Sequence, residues 1–208
     1  MDLKLIYGNM RALCEAPQMM LYYADIPYEY KMVWDHYGSS WAEVKKDIIF
    51  NRLPILIINE DRYIWQSNTI IRYLSNLTKT KPSDEFQLAY CDAVFESTHE
   101  MFSPLNPTIN MTFGEKYNSN KKKLLEDILP NSLNNFEKLL QNSSGNFFIG
   151  NDPFYCDFNA YHHFSMCLIL DKNIFSNFPN INKFINNFEE LNNIKKYLDI
   201  RPKLVELG

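Results

Sequence analysis

Hydrophobic and polar positions follow a strand-like period early in the chain and a helical one later. Leu3, Leu5 and Tyr7 alternate with Lys4 and Ile6, which predicts a first strand ending at Tyr7, where Gly8-Asn9 breaks it. Arg11 to Ala24 reads as a helix with Leu13, Met20, Leu21 and Ala24 on its apolar face. Pro17 removes a helical hydrogen bond there, which predicts a kink unless the helix starts just before it. Pro27 leads into a second strand, Tyr28 to Val33. Ser40-Trp41-Ala42-Glu43 is a capping-box pattern that starts a short helix running through Asp47. Ile55 to Ile58 is a short apolar run between Pro54 and the polar turn Asn59 to Arg62, the signature of a buried strand. Tyr63 to Trp65 is β-prone and pairs back as a hairpin. Ser67 is the expected N-cap of a helix that places Ile70, Ile71 and Leu74 on one face.

After the polar stretch Thr78 to Asp84 the period turns helical throughout. The expected helices are Glu85 to Phe102, ended by Pro104 and Pro107, and Asn118 to Leu140, kinked at Pro130. A Ser/Asn/Gly loop, Asn142 to Asn146, then leads to a strongly apolar buried helix from Asp152 to Leu170. Asp152-Pro153 is the expected N-cap and first position of that helix. Shorter helices are expected at Pro179 to Leu191 and Asn192 to Leu198. The fold class is therefore an α/β unit followed by an all-α unit. The first, residues 1–77, has a thioredoxin-like β-α-β-α-β-β-α order; residues 78–84 form a linker; residues 85–208 form a helical domain.

Composition narrows the function classes. A chain of 208 residues is long enough for a substantial core in one or two domains. With 46% hydrophobic and 22% charged residues it is globular rather than disordered. A net charge of −4 carries no nucleic-acid footprint. No signal peptide and no run of about 18 apolar residues is seen, so no membrane span is expected. Cys14, Cys91, Cys156 and Cys167 lack a paired short spacing and read as reduced, mostly buried thiols of a cytoplasmic protein.

Several clusters invite chemistry. Asp92, Glu96, His99 and Glu100 share a helix face, and Glu96-x-x-His99 has the spacing of a carboxylate-bridged metal site. That site needs a second copy, which is missing, and the adjacent His162-His163 cannot both face one ion; no metal is expected. Cys14 falls inside the first helix with no second cysteine nearby, which favours a structural thiol over a redox nucleophile.

The run Asn51-Arg52-Leu53-Pro54-Ile55-Leu56 followed by Gln66-Ser67 and Ile70-Ile71-Arg72-Tyr73-Leu74 resembles the N-terminal domain of cytosolic glutathione transferases. With the helical second half, the resemblance covers nearly the whole chain. Leu5-Ile6-Tyr7-Gly8-Asn9-Met10-Arg11, with Glu15 behind it, is most similar to the sigma class, which includes glutathione-dependent prostaglandin D synthase. The resemblance implies a cis proline at Pro54 and a Leu53 main chain that pairs with the glutathione cysteinyl unit like an added strand. It implies Gln66 and Ser67 on the γ-glutamyl carboxylate, Trp41, Lys45 and Arg52 on the glycine end, and Glu100 reaching a partner's glutathione across a symmetric homodimer.

The resemblance also makes Tyr7 the catalytic residue. A free thiol has a pKa of about 8.5, and only the thiolate attacks electrophiles. Lowering it by about two units takes about 2.7 kcal/mol, which one hydrogen bond to a charged group, at about 1.5–3 kcal/mol, nearly supplies. The expected activity is conjugation of glutathione to hydrophobic electrophiles; a prostaglandin-type isomerase and a non-catalytic ligand binder are the alternatives. Met10, Met101, Pro104 and Pro107 would line the apolar substrate pocket. Two departures bear on efficiency. Gly8 stands where the family usually has an aromatic residue, and Leu13 stands where the sigma pattern has a second arginine.

Overall fold

The computed structural model describes residues 1–201; the last seven positions of the expected helical domain lie outside the described residues. Strands β1 (Leu3–Tyr7), β2 (Glu29–Met32), β3 (Ile55–Ile58) and β4 (Arg62–Trp65) form one sheet in the order β2-β1-β3-β4. β1 pairs parallel with β2 and antiparallel with β3, which pairs antiparallel with β4. The period-2 alternation of β1 serves two faces. Leu3, Leu5 and Tyr7 join Leu56 and Ile58 in the main core, while Ile6 joins Ile55, Ile57, Val33 and Ile48 in a smaller cluster on the other face.

Helices α1 (Glu15–Tyr23) and α4 (Ser67–Leu77) cover the main-core face with Met20, Leu21, Ile70, Ile71 and Leu74. The first helix starts at Glu15 rather than at Arg11, so Pro17 falls in the first turn of α1, where its missing N–H costs nothing and no kink results. A single 3-10 turn, Ala12–Cys14, precedes it and places Cys14 at the N-cap of α1 rather than inside that helix. The other face carries two short helices, α2 (Val33–Tyr37), which the sequence pattern did not signal, and α3 (Trp41–Val44). The expected box at Ser40 is present: its N–H and its hydroxyl both donate to Glu43, at 3.0 and 2.7 Å.

The helical half comprises α5 (Glu85–Met111), α6 (Gly114–Lys123), α7 (Leu129–Asn142), α8 (Tyr155–Leu170), α9 (Pro179–Glu189) and α10 (Asn192–Ile200). Three expectations are corrected. Helix α5 does not stop at Phe102 but runs through both Pro104 and Pro107. The carbonyls those prolines leave unbonded belong to Glu100 and Ser103, both exposed to water, while Met101, Phe102, Leu105 and Thr108 stay buried. Packing therefore carries the helix past its breakers. The second helix starts at Gly114 rather than Asn118 and is divided by a π-helical turn, Leu124–Ile128, which absorbs the register change ahead of Pro130 in the first turn of α7.

Helix α8 does not begin early at Asp152. Phe154 is its N-cap, in extended conformation, because the fully buried Asp157 accepts the Phe154 N–H at 2.8 Å and the Phe148 N–H at 3.0 Å. The N3 carboxylate alone performs the capping that a hydroxyl would have shared. The Tyr155 N–H donates to the Thr80 carbonyl at 2.9 Å, tying α8 to the segment after α4. No helix among the described residues is long and apolar enough to cross a membrane.

Candidate functional site

Tyr7 ends β1 and is 7% exposed. The β1–β3 register runs from Leu3 opposite Ile58 to Ile6 opposite Ile55, and one further step sets Tyr7 opposite Pro54. The Leu53–Pro54 peptide is cis. Among the described residues the Leu53 main chain makes no hydrogen bond in the turn, which leaves it free for an added strand. Sheet topology thus brings the phenol and the Leu53-Pro54 unit to one end of the sheet, although 46 positions part Tyr7 from Leu53 in the chain.

The Tyr7 oxygen accepts a hydrogen bond from the Leu13 N–H at 3.3 Å. Burial raises the Tyr7 pKa above the ordinary phenol range, so the hydroxyl keeps its proton near neutrality. A phenol that accepts on its oxygen and retains its proton is a donor aimed elsewhere. Tyr30 donates to the Gly8 carbonyl at 2.7 Å and fixes the turn that follows Tyr7. Neither the Leu13 N–H nor the Tyr30 hydroxyl was singled out from sequence. A main-chain donor carries no letter, and Tyr30 meets Gly8 only through the β1–β2 pairing.

The N-cap of α4 is Gln66 and not Ser67; Ser67 is the first helical residue. Gln66 takes φ 68°, ψ 120°, a conformation L-residues seldom adopt, and is exposed, whereas Ser67 is buried. Both residues stand at the start of α4, where no side chain caps the helix and its first N–H groups lie free for an anion. Trp41 is half-buried against the smaller core cluster, and Lys45, one turn on, is exposed, as is Arg52. With Lys46 also exposed, three exposed cations stand in the stretch leading into the Leu53-Pro54 unit. Glu100 is exposed on α5.

The other expected features separate. Met101 lies in the main core, 2% exposed, so Met10, Pro104 and Pro107, all half-buried, have more surface to offer an apolar ligand. A hollow of about 690 Å3 lies elsewhere, between the start of α5, the end of α7 and the loop before α8, and none of these four residues lines it. Glu96 and Asp92 both accept from Arg72, so the Glu96-x-x-His99 pattern is committed to an ion pair. Cys14 is fully buried and its thiol is pushed up by burial, opposite to what a nucleophile needs. The four cysteines are free and buried.

Comparison with known proteins fits this geometry. Residues 1–76 match the family described as glutathione S-transferase, N-terminal domain, and residues 99–201 match glutathione S-transferase, C-terminal domain. The chain is similar to "Glutathione S-transferase P" of Caenorhabditis elegans, 28% identical over 98% of this chain and 95% of that relative. It superposes on the Pi-class glutathione S-transferase of Onchocerca volvulus with a TM-score of 0.84, at 25% identity, covering 97% of this chain and 94% of that one. A rat hPGDS complexed with a quinoline has the same fold, with a TM-score of 0.86 at 23% identity and 98% of both chains covered.

Proposed function

Because this chain belongs to the glutathione S-transferase family, we propose that it joins the glutathione thiolate to hydrophobic electrophiles, with the Tyr7 hydroxyl holding the thiolate. The sulfur forms the new bond to carbon, and the leaving group departs with the electron pair. The observation that carries this reading is the Tyr7 phenol. It is protonated, accepts from Leu13, and stands in register with the cis Leu53–Pro54 unit. Its free O–H is the group that can hydrogen-bond a thiolate and lower the thiol pKa.

The division of labour follows the chain. Residues 1–77 bind glutathione: the Leu53 main chain beside Pro54 pairs with the cysteinyl unit. Gln66 and Ser67, at the start of α4, take the γ-glutamyl carboxylate. Trp41, Lys45 and Arg52 take the glycine carboxylate. Residues 85–208 present the electrophile, with Met10, Pro104 and Pro107 as the apolar lining and Met101 behind them. Glu100 of a second copy reaches the glutathione α-amino group in a homodimer. The exposure of Ile49 and of Phe50, 61% exposed just before Arg52, supports an apolar contact between copies. The tyrosine-type, sigma-like reading rests on Tyr7, Arg11 and Glu15. The cytoplasm suits four unpaired thiols.

The test is conjugation of a chlorodinitrobenzene-type substrate beside retention on immobilised glutathione. Tyr7→Phe is expected to lose about tenfold or more in rate near neutral pH, since about two pKa units are at stake. Equal rates remove Tyr7 from the mechanism. Retention without conjugation in wild type supports a carrier, and no retention overturns the reading.

A further inference from the structure

Gly8, directly after Tyr7, is a glycine that the backbone does not require. Its φ lies outside the left-handed range. Among the described residues outside its chain neighbours, a Cβ built there would meet the Met10 methyl alone, at 4.0 Å. What glycine adds at this position is conformational freedom. The freedom falls beside the phenol, the group that has to be held still if its proton is to point at one atom. Something else must therefore restrain the turn.

Tyr30 supplies the restraint. It stands opposite Leu5 in the parallel β1–β2 pair, while Tyr7 stands opposite Met32. Leu5, Tyr7 and Tyr30 all pack in the main core, so the two tyrosines share one face of the sheet. The Tyr30 hydroxyl donates to the Gly8 carbonyl at 2.7 Å. Burial raises the Tyr30 pKa above the ordinary phenol range, so the donor keeps its proton. Tyr28, just before β2, donates instead to Gln18 of α1, at 3.3 Å. The turn from Gly8 to Arg11 is thus tied at both ends, the Gly8 carbonyl by Tyr30 and the Arg11 carbonyl by the Cys14 N–H at 2.9 Å. Between them Asn9 and Met10 make no turn hydrogen bond among the described residues. The chain leaves the phenol at Gly8 and returns to it at Leu13, whose N–H bonds the Tyr7 oxygen at 3.3 Å.

Resting on the role of Tyr7 given above, we propose that Tyr30 is a positioning residue: its hydroxyl clamps the Gly8 carbonyl, so that the turn keeps the Leu13 N–H on the Tyr7 oxygen and the phenol proton stays aimed at the thiol. The clamp offsets the looseness that Gly8 brings to the turn. Thiol activation at the end of β1 then depends on a hydroxyl from β2, the strand at the edge of the sheet.

The experiment compares Tyr30→Phe, which keeps the ring and removes the donor, with Tyr28→Phe, which removes a neighbouring hydroxyl that does not touch Gly8. In the unliganded protein, exchange of the Leu13 amide is expected to speed up about tenfold or more in Tyr30→Phe relative to the β1 amides, and to stay at the wild-type rate in Tyr28→Phe. Adding Gly8→Ala to Tyr30→Phe stiffens the turn by another route and is expected to recover about two- to fivefold of the lost protection. The thiol pKa of bound glutathione, read from thiolate absorbance, is expected to rise by about half a unit to one unit in Tyr30→Phe. No further rise is expected when Tyr7→Phe is already present. Unchanged Leu13 exchange, equal effects of the two tyrosine variants, no recovery with Gly8→Ala, or a thiol shift that persists without the Tyr7 hydroxyl each overturns the assignment. If Tyr30→Phe does not fold, Tyr30→Met, which also lacks the donor, is judged by the same outcomes. A wild type that fails to bind glutathione sinks the transferase reading, and the exchange measurements alone then support or overturn the positioning role.

Discussion

Glu15 and Arg201 lie 186 positions apart, yet the Arg201 Nη1 donates to Glu15 Oε1 at 2.7 Å. The Tyr197 hydroxyl donates to the other oxygen at 3.0 Å, and Glu15 is 1% exposed. One buried carboxylate at the start of α1 thus anchors α10 and the residue that follows it to the first domain. Its cost of burial is met only while both partners are in place. Glu15→Ala leaves the Arg201 charge and the Tyr197 hydroxyl without their acceptor and is expected to destabilise by about 3 kcal/mol. Arg201→Met should cost a similar amount, and the double variant less than the sum of the two. Denaturant midpoints at unchanged slope measure all three, and full additivity would contradict the shared network.

Asp157 gives the chain a pH dependence of defined sign. Burial raises its pKa to about 7 against the opposing effect of the Phe148 and Phe154 N–H bonds. In the unfolded chain an aspartate titrates at about 3.9. The folded protein therefore holds this proton more tightly, so the carboxyl's contribution to stability is largest below about pH 4, falls as pH rises to about 7, and is constant above. Asp157→Ala should cost about 2–4 kcal/mol by leaving both N–H groups unpaired, and the difference from wild type should shrink with rising pH across that window. A difference that grows with pH would mean that the two N–H bonds outweigh burial.

Gln66 permits the side chain and the backbone to be tested separately. Glycine takes φ 68° without steric cost, so Gln66→Gly keeps the bend and removes only the amide. Gln66→Gly and Ser67→Ala are each expected to raise the KM for glutathione by about tenfold, the worth of one hydrogen bond to a charge, with kcat little changed. Glu100→Gln should do the same to a smaller degree. Steady-state kinetics with varied glutathione check this, and a fall in kcat at constant KM would place these residues elsewhere in the mechanism.

Arg72 joins α4 to α5. Its Nε donates to Asp92 at 2.9 Å, its Nη2 pairs with Glu96, and its guanidinium lies 5.0 Å from the Phe95 ring centre. Asp92 also accepts the Tyr155 hydroxyl at 2.7 Å, so it links three helices, whereas Glu96 serves one partner. With these side chains at least a third exposed, the ion pairs are each worth about 1 kcal/mol or less. Asp92→Ala is expected to lower the thermal midpoint more than Glu96→Ala. The reverse order would show that Tyr155 gains nothing from Asp92.

Local pattern by itself determined the sheet strands, because the alternation of Leu3, Leu5 and Tyr7 and the run Ile55 to Ile58 leave one way to bury both faces. It also determined the Ser40 cap, which depends on neighbours a few positions away, whereas it left open whether Pro17 kinks a helix from Arg11 or follows a later start, and Leu53-Pro54 and Gln66-Ser67 entered as candidate site residues through the resemblance. Tertiary structure decided the rest. Pro104 and Pro107 read as helix ends, yet packing of Met101, Phe102 and Leu105 outweighs two lost hydrogen bonds. Asp152-Pro153 reads as a helix start, yet a buried carboxylate at Asp157 bonds Phe148 and Phe154 and moves the start to Tyr155. The Leu13 N–H on Tyr7 and the Arg201 pair with Glu15 left no local trace. Each joins groups whose separation the chain sets but whose contact only the packed fold creates.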